Sequence, residues 1–464
     1  MQNKHTKNIL VSLTPGILSI FLTFFSIPIF LNYLNKDIYA NYLIQHFILT
    51  LGMILNLQLG KIASIKIQSL KNKNKKNFII TTIFYSLFLS IILSTLTYIF
   101  LIIALKNYNL FQINLSILIG LILTIIYITL EYIARGLSCF KETSFSNLIF
   151  YSMSMSVPAF LVLSNINENL ILNNLFNISL IIKSFSIIYL FIILSNKKTF
   201  VDAKINLKLI KTFTFHSKWM TLNALYNQIY DYLDKHLIKI SMGSSMLIIY
   251  SIPQQIAAKL TIISNSIISV ILPKLAFKKK SEDKLKIFTA NFYLFYYLVG
   301  TGLIIFLPLY ETILNWWLKD GYSIEILKLF KIFILLTFLG SCSNIIISLY
   351  EANSIEKKNT TLETFSIFPF LLGLFLSLNF KNIYFFALVL MIKEFTLLMI
   401  RINVMKNYIF NYKILMIQLF FYSVIFVLSY LELNNFVLLF FVILLIISFI
   451  NFPLSFLKNE FTNK

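Results

Sequence analysis

The sequence predicts an all-α polytopic membrane protein of about fourteen transmembrane helices, and three observations carry that reading. Of 464 residues, 58% are hydrophobic and only 12% charged, and the mean hydropathy is +0.82. Apolar runs long enough to cross a bilayer recur from end to end, separated by short polar connections. Gly (11) and Pro (8) are scarce and no strand-length alternation recurs, which excludes a membrane barrel.

The candidate helices lie at about 9–31, 40–60, 78–105, 115–134, 145–163, 174–195, 219–242, 246–272, 287–309, 324–350, 362–378, 383–405, 414–431 and 436–457. The formal charge of +22 raises the question of nucleic acid, but the basic residues sit in short segments between apolar runs, so topology accounts for them and no nucleic-acid partner is expected. An N-terminus placed inside puts 29 Lys and Arg on the inner side and 4 on the outer, which sets both termini in the cytoplasm. Seven lysines then remain at membrane depth: Lys183, Lys235, Lys239, Lys259, Lys328, Lys331 and Lys393. The basic start and long apolar run of the first 34 residues read as a retained first helix, since no small-residue cleavage site follows. Cys139 and Cys342 have no partner pattern and read as small buried residues.

Basic segments KIASIKIQSLKNKNKK and KLAFKKKSEDKLK follow helices two and eight, six helices apart. An even offset implies two halves entering the membrane in the same direction. The expected organisation is a six-helix lobe over 1–195, a basic amphipathic linker on the inner leaflet over 196–218, a second six-helix lobe over 219–405, and two further helices with the tail over 406–464.

The seventh helix is unusually polar for this chain. Asn223, Asn227, Asp231 and Asp234 fall on one stripe at 100° per residue, and Lys235 lies beside it, spaced to pair with Asp231. Charge at that depth costs a few kcal/mol per residue on insertion scales, so the stripe faces protein or an aqueous cavity rather than lipid. Two readings remain open: a neutralised ion-pair set between helices, or the lining of a translocation cavity. Gln255 and Lys259 beside Pro253, Lys183 in the sixth helix, and Lys393 with Glu394 in the twelfth are further cavity candidates, with Lys239 set to snorkel outward. Glu131 and Arg135 are spaced for an ion pair that either gates the inner side or sits at the interface. Converging cations would favour an anionic, phosphate-bearing ligand. No phosphate-cradling loop, H-E-x-x-H or nucleophile elbow occurs, and the longest outer connection, roughly 310–323, is too short for a catalytic domain, so a transporter rather than an enzyme is expected.

Residues 219–276 contain Asp234-Lys235, the turn Gly243-Ser244-Ser245, Tyr250 and Pro273. That series resembles the start of the second lobe in polysaccharide exporters and O-antigen flippases of the multidrug/oligosaccharidyl-lipid/polysaccharide (MOP) exporter superfamily. LNWWLKDGY at 314–322 and IARGLSCFKETS at 133–144 resemble further segments of that family. The resemblance implies two six-helix lobes in a V in the bacterial inner membrane, flipping a polyprenyl-pyrophosphate-linked oligosaccharide to the outer leaflet by alternating access. Lys183, Asn227, Asp231, Asp234, Lys235, Gln255, Lys259 and Lys393 would bind substrate. Asp231, Asp234, Glu394, Glu131 and Arg135 would couple H⁺ or Na⁺ or gate the path, with no cofactor and with other polysaccharide-assembly proteins as further partners. A multidrug exporter of the same fold and a membrane-embedded glycan polymerase or transferase are the alternatives. The expected helices 13 and 14 depart from the twelve-helix pattern of many O-antigen flippases.

Overall fold

Each apolar run of the first 405 residues folds as helix, and no strand occurs among the described residues. The computed structural model describes residues 2–70, 72–105, 114–163, 171–197, 199–200, 203–206, 208–277, 281–353, 355–406, 415–420 and 424. Most of expected helix 13 and all of helix 14 lie outside these residues. Nine helices among the described residues are long and apolar enough to cross a membrane, which makes this a multi-pass membrane protein.

Two compact units divide between Ile248 and Ile249. The first contains α1 (Gln2–Tyr33), α2 (Lys36–Thr50), α3 (Gly52–Leu55), α4 (Leu59–Ser69), α5 (Asn72–Leu105), α6 (Leu115–Gly136), α7 (Phe140–Asn147), a π-helical turn (Leu148–Met153), α8 (Ser154–Val162), α9 (Ile171–Asn196) and α10 (Lys208–Met242). After α11 (Ser244–Ala258), which crosses the boundary, the second holds α12 (Thr261–Phe277), α13 (Ser281–Phe306), α14 (Tyr310–Leu318), α15 (Ile324–Ala352), α16 (Glu356–Asn379) and α17 (Ile383–Val404).

In the first unit α4, α5, α6 and α9 close around Ile62, Ile67, Phe78, Tyr127, Ile133 and Leu194. α6 and α4 approach closely because glycine sits at the crossing: a Cβ at Gly136 would lie 3.0 Å from the Ser64 Cα. α5 turns Phe84, Phe88, Ile91 and Phe100 outward, as a lipid-facing helix does. The second unit packs around α15, whose Phe333 meets the Tyr250 ring at 5.0 Å and whose Phe338 stacks on Phe295.

Three expected elements differ. The second helix, expected to be continuous over 40–60, is broken: Leu57 and Gln58 take positive φ of 50° and 55°, and the helix resumes as α4 through residues expected in the basic loop. Asn56 makes the break tolerable. Its Nδ2 donates to the Ile125 carbonyl (3.0 Å) and Thr129 Oγ1 (2.5 Å) of α6, while its Oδ1 accepts from the Gly60 N–H (3.3 Å), so the break is tied to α6 and the freed Gly60 N–H has a partner inside the protein. The eighth helix is interrupted as well, at Lys259 and Leu260 between α11 and α12, where 3₁₀-type bonds bridge the gap. The outer connection expected over 310–323 is mostly the helix α14, with Trp317 buried and Trp316 exposed.

The described part of 196–218 divides between a short connection and the start of α10. Lys204 and Asn206 donate their backbone N–H groups to Asn77 Oδ1 and Thr81 Oγ1, tying the connection to α5. α10 then runs on through the seventh expected helix and packs with the first unit.

Replacing Asn56 with Ala removes the acceptor of the buried Gly60 N–H at the α3–α4 break and the two bonds that tie the break to α6. The apparent unfolding temperature in detergent is expected to fall, by the equivalent of about 1–3 kcal/mol. An unchanged transition would remove Asn56 as the support of the break.

Candidate functional site

Three polar clusters lie inside the helical units. The first joins α10 to α2. Asp234 and Lys235 are buried, with Lys235 Nζ 3.6 Å from Asp234 Oδ1 and 4.6 Å from the centre of the Phe47 ring. Lys239 is buried as well and donates to Asn41 Oδ1. It therefore does not snorkel: α2 offers it an acceptor within the protein. Lys235 is thus paired with its neighbour Asp234. The side chains of Asn227 and Asp231 lie outside those described.

The second cluster occupies α6, α7, the π-helical turn and α9. Glu131 accepts from Arg135 Nη2 at 2.5 Å and from Asn147 Nδ2 at 2.7 Å, and Asn147 Oδ1 accepts from the Tyr127 hydroxyl at 2.5 Å. The Tyr127 ring stacks on Phe150 at 3.7 Å, and Lys183 Nζ lies 5.0 Å from the centre of the Phe150 ring. Phe150 belongs to the π-helical turn, whose extra residue per turn re-aims side chains. Lys183 is only 5% exposed and has no carboxylate partner among the described residues. Burying an ammonium ion without an anion is costly, so a ring face alone is weak compensation.

The third cluster lies in the second unit and centres on Arg401, a residue whose place in the sequence suggests an inner connection. It is instead 1% exposed. Its guanidinium donates to Glu363, to Ser343 Oγ (2.5 Å), to Asn359 Oδ1 (2.9 Å) and, at 3.5 Å, to Glu394 Oε1. Lys393 Nζ lies 4.0 Å from the other Glu394 oxygen. The signal that could have found this cluster is the seven-residue spacing of Glu394 and Arg401, two turns apart on one helix face.

Gln255 Nε2 is buried on α11 without a hydrogen-bond partner among the described residues, and Lys259 sits half-buried at the break that follows. Outside the spans, burial pushes the Cys139 thiol pKa up, and Glu142 adds to the effect, which fits an inert residue. No group of His, Cys, Asp and Glu suited to a metal ion occurs among the described residues.

Taken together, these features define a multi-pass helical membrane protein with charged clusters inside both units. Its fold is that of the MATE transporters of the MOP superfamily. A multidrug-resistance MATE transporter of that superfamily, solved in an outward-facing conformation, matches with a TM-score of 0.66 at 10% identity, covering 87% of this chain and 96% of its own. The MATE multidrug transporter DinF-BH matches at 0.64 and 12% identity over 86% and 95%. In sequence the chain is similar to a "Putative O-antigen transporter" of Shigella flexneri, 22% identical over 164 residues. That match takes in 35% of this chain and spans 39% of the relative's length. No family model matches.

Replacing Arg401 with Gln leaves Glu363 buried without its charge partner, a loss of about 3–5 kcal/mol. The purified variant is expected to unfold at clearly lower temperature, and Arg401→Gln with Glu363→Gln together to recover much of the loss. Independent, additive effects would show that the two do not act as a pair.

Proposed function

We propose that the protein is a secondary flippase that moves a polyprenyl-pyrophosphate-linked oligosaccharide from the inner to the outer leaflet of the bacterial cytoplasmic membrane, with both termini inside. The observation that carries this reading is Lys183, a cation buried within a MATE-type unit that faces an aromatic ring and no carboxylate among the described residues. An anion supplied by a ligand would complete it, and a pyrophosphate is such an anion. The similarity to an O-antigen transporter supports the glycan, although it covers part of each chain. Drug-cation export is less well supported: the described pairs of Asp234, Glu131, Glu363 and Glu394 set each carboxylate against a basic side chain.

In this reading Lys183 and Lys259 hold phosphate, and Lys235, Lys393, Asn227 and Gln255 take the adjoining polar groups. Asp231 and Asp234 act as exchangeable partners of the cations, while Glu131 and Arg135 latch one end of the path. Glu394, with its longer contacts to Arg401 and Lys393, is the carboxylate free to exchange a proton or Na⁺.

Proteoliposomes with a fluorescent polyprenyl-pyrophosphate oligosaccharide test the reading directly. Protein-dependent flipping is expected, and Lys183→Gln should slow it about tenfold or more, as befits a lost charge-assisted bond, without reducing folded protein. Efflux of cationic dyes without flipping of the matched native glycan would overturn the reading in favour of drug export. Glu394→Gln is expected to abolish the response of flipping to imposed H⁺ or Na⁺ gradients, and an unaltered response would place coupling elsewhere.

A further inference from the structure

Opposite the face of α2 that meets α10 through Asn41 and Phe47, the helix carries Tyr42, Gln45 and His46, spaced three and four residues apart on one side. The His46 ring lies 4.5 Å from Tyr42 and 5.8 Å from Phe176 of α9, so this side looks toward α9. There Phe176, Ser179 and Lys183, at i, i+3 and i+7, share one side of the helix. Tyr42, Gln45 and Ser179 are at most 1% exposed. Yet the Tyr42 hydroxyl, Gln45 Oε1, His46 Nε2 and Ser179 Oγ have no hydrogen-bond partner among the described residues. Such atoms recur elsewhere in the protein, but these four lie on the two helices that His46 and Phe176 bring together, with Ser179 one turn from the buried Lys183, so a polar ligand entering there would find four groups to satisfy.

The chemistry of the four atoms selects that ligand. A second phosphate offers only acceptors, which Gln45 Oε1 cannot use. A sugar offers hydroxyls that donate and accept, and C–H faces that pack on rings such as Tyr42 and Phe176. We infer that the α2 and α9 faces form a saccharide subsite, holding the sugar attached to the phosphate that Lys183 binds. The inference rests on the flippase reading for the joining of sugar and phosphate in one molecule. The atoms are sealed from solvent in this packing, so binding requires α2 and α9 to part.

Calorimetric titration of the full-length protein in nanodiscs tests this with geranyl diphosphate and with geranyl diphosphate carrying glucose, galactose or N-acetylglucosamine. At least one glycosylated probe should bind more tightly than the bare diphosphate. Lys183→Gln should weaken all probes. Tyr42→Phe and Gln45→Leu should weaken the preferred glycosylated probe about tenfold while changing geranyl diphosphate less than about twofold, as expected for one lost hydrogen bond to a neutral group. Both should also raise the unfolding temperature of the ligand-free protein, because each removes an unpaired polar atom; a merely structural role would lower it. Equal weakening of every probe, no weakening, no preference for any sugar, or no binding by the wild type would each overturn the subsite. None of these outcomes touches the flipping assay, which decides the flippase reading separately.

Discussion

A charge inside a bundle of apolar helices must find its counterpart in the protein or in a ligand, because neither lipid nor hydrocarbon side chains can replace water around it. The interior of this protein is organised by that constraint. Lys239 reaches Asn41 and Lys235 reaches Asp234 and Phe47, and these contacts hold α10 against α2. Arg401 gathers acceptors from α15, α16 and α17, so three helices of the second unit converge on one guanidinium. The planar fork of arginine suits such a junction better than lysine would, and the chain spends one of its two arginines there.

Paired and unpaired charges then divide the work. Glu131 with Arg135, and Glu363 with Arg401, are held by short contacts and further hydrogen bonds, so each carboxylate is matched within its own unit. Among the described residues Lys183 has only a ring face, and the neighbouring α2 stripe has oxygens and a nitrogen without a hydrogen-bond partner. Unmet polar capacity is unfavourable for folding alone, so where it adjoins a buried lysine a polar ligand has most to contribute.

Two of the long apolar runs are interrupted helices. α2 to α4 is interrupted at residues 56–58, and α11 to α12 at Lys259 and Leu260. Interrupted helices expose backbone groups at membrane depth, which is tolerable only when protein encloses them, as Asn56 and α6 do in the first unit. The positive φ of Leu57 and Gln58 shows that this break is a definite local conformation and not a gradual bend.

Hydropathy by itself determined the class of fold and placed most of the helices described in the first 405 residues, because the energetic cost of exposing backbone and charge to lipid is local and is written in each run of residues. Spacing likewise revealed the Glu131 and Arg135 pair, whose partners are one turn apart. Tertiary structure decided the rest. Arg401 meets Glu363 and Ser343 from helices 38 and 58 residues away in sequence, a contact no periodicity encodes. The breaks at 56–58 and 259–260 depend on what packs across from them, and α10 joins the first unit because α2 holds its charges. The Tyr42, Gln45 and His46 stripe emerged only with the structure: whether a polar atom has a partner depends on distances in three dimensions, which a linear pattern does not contain.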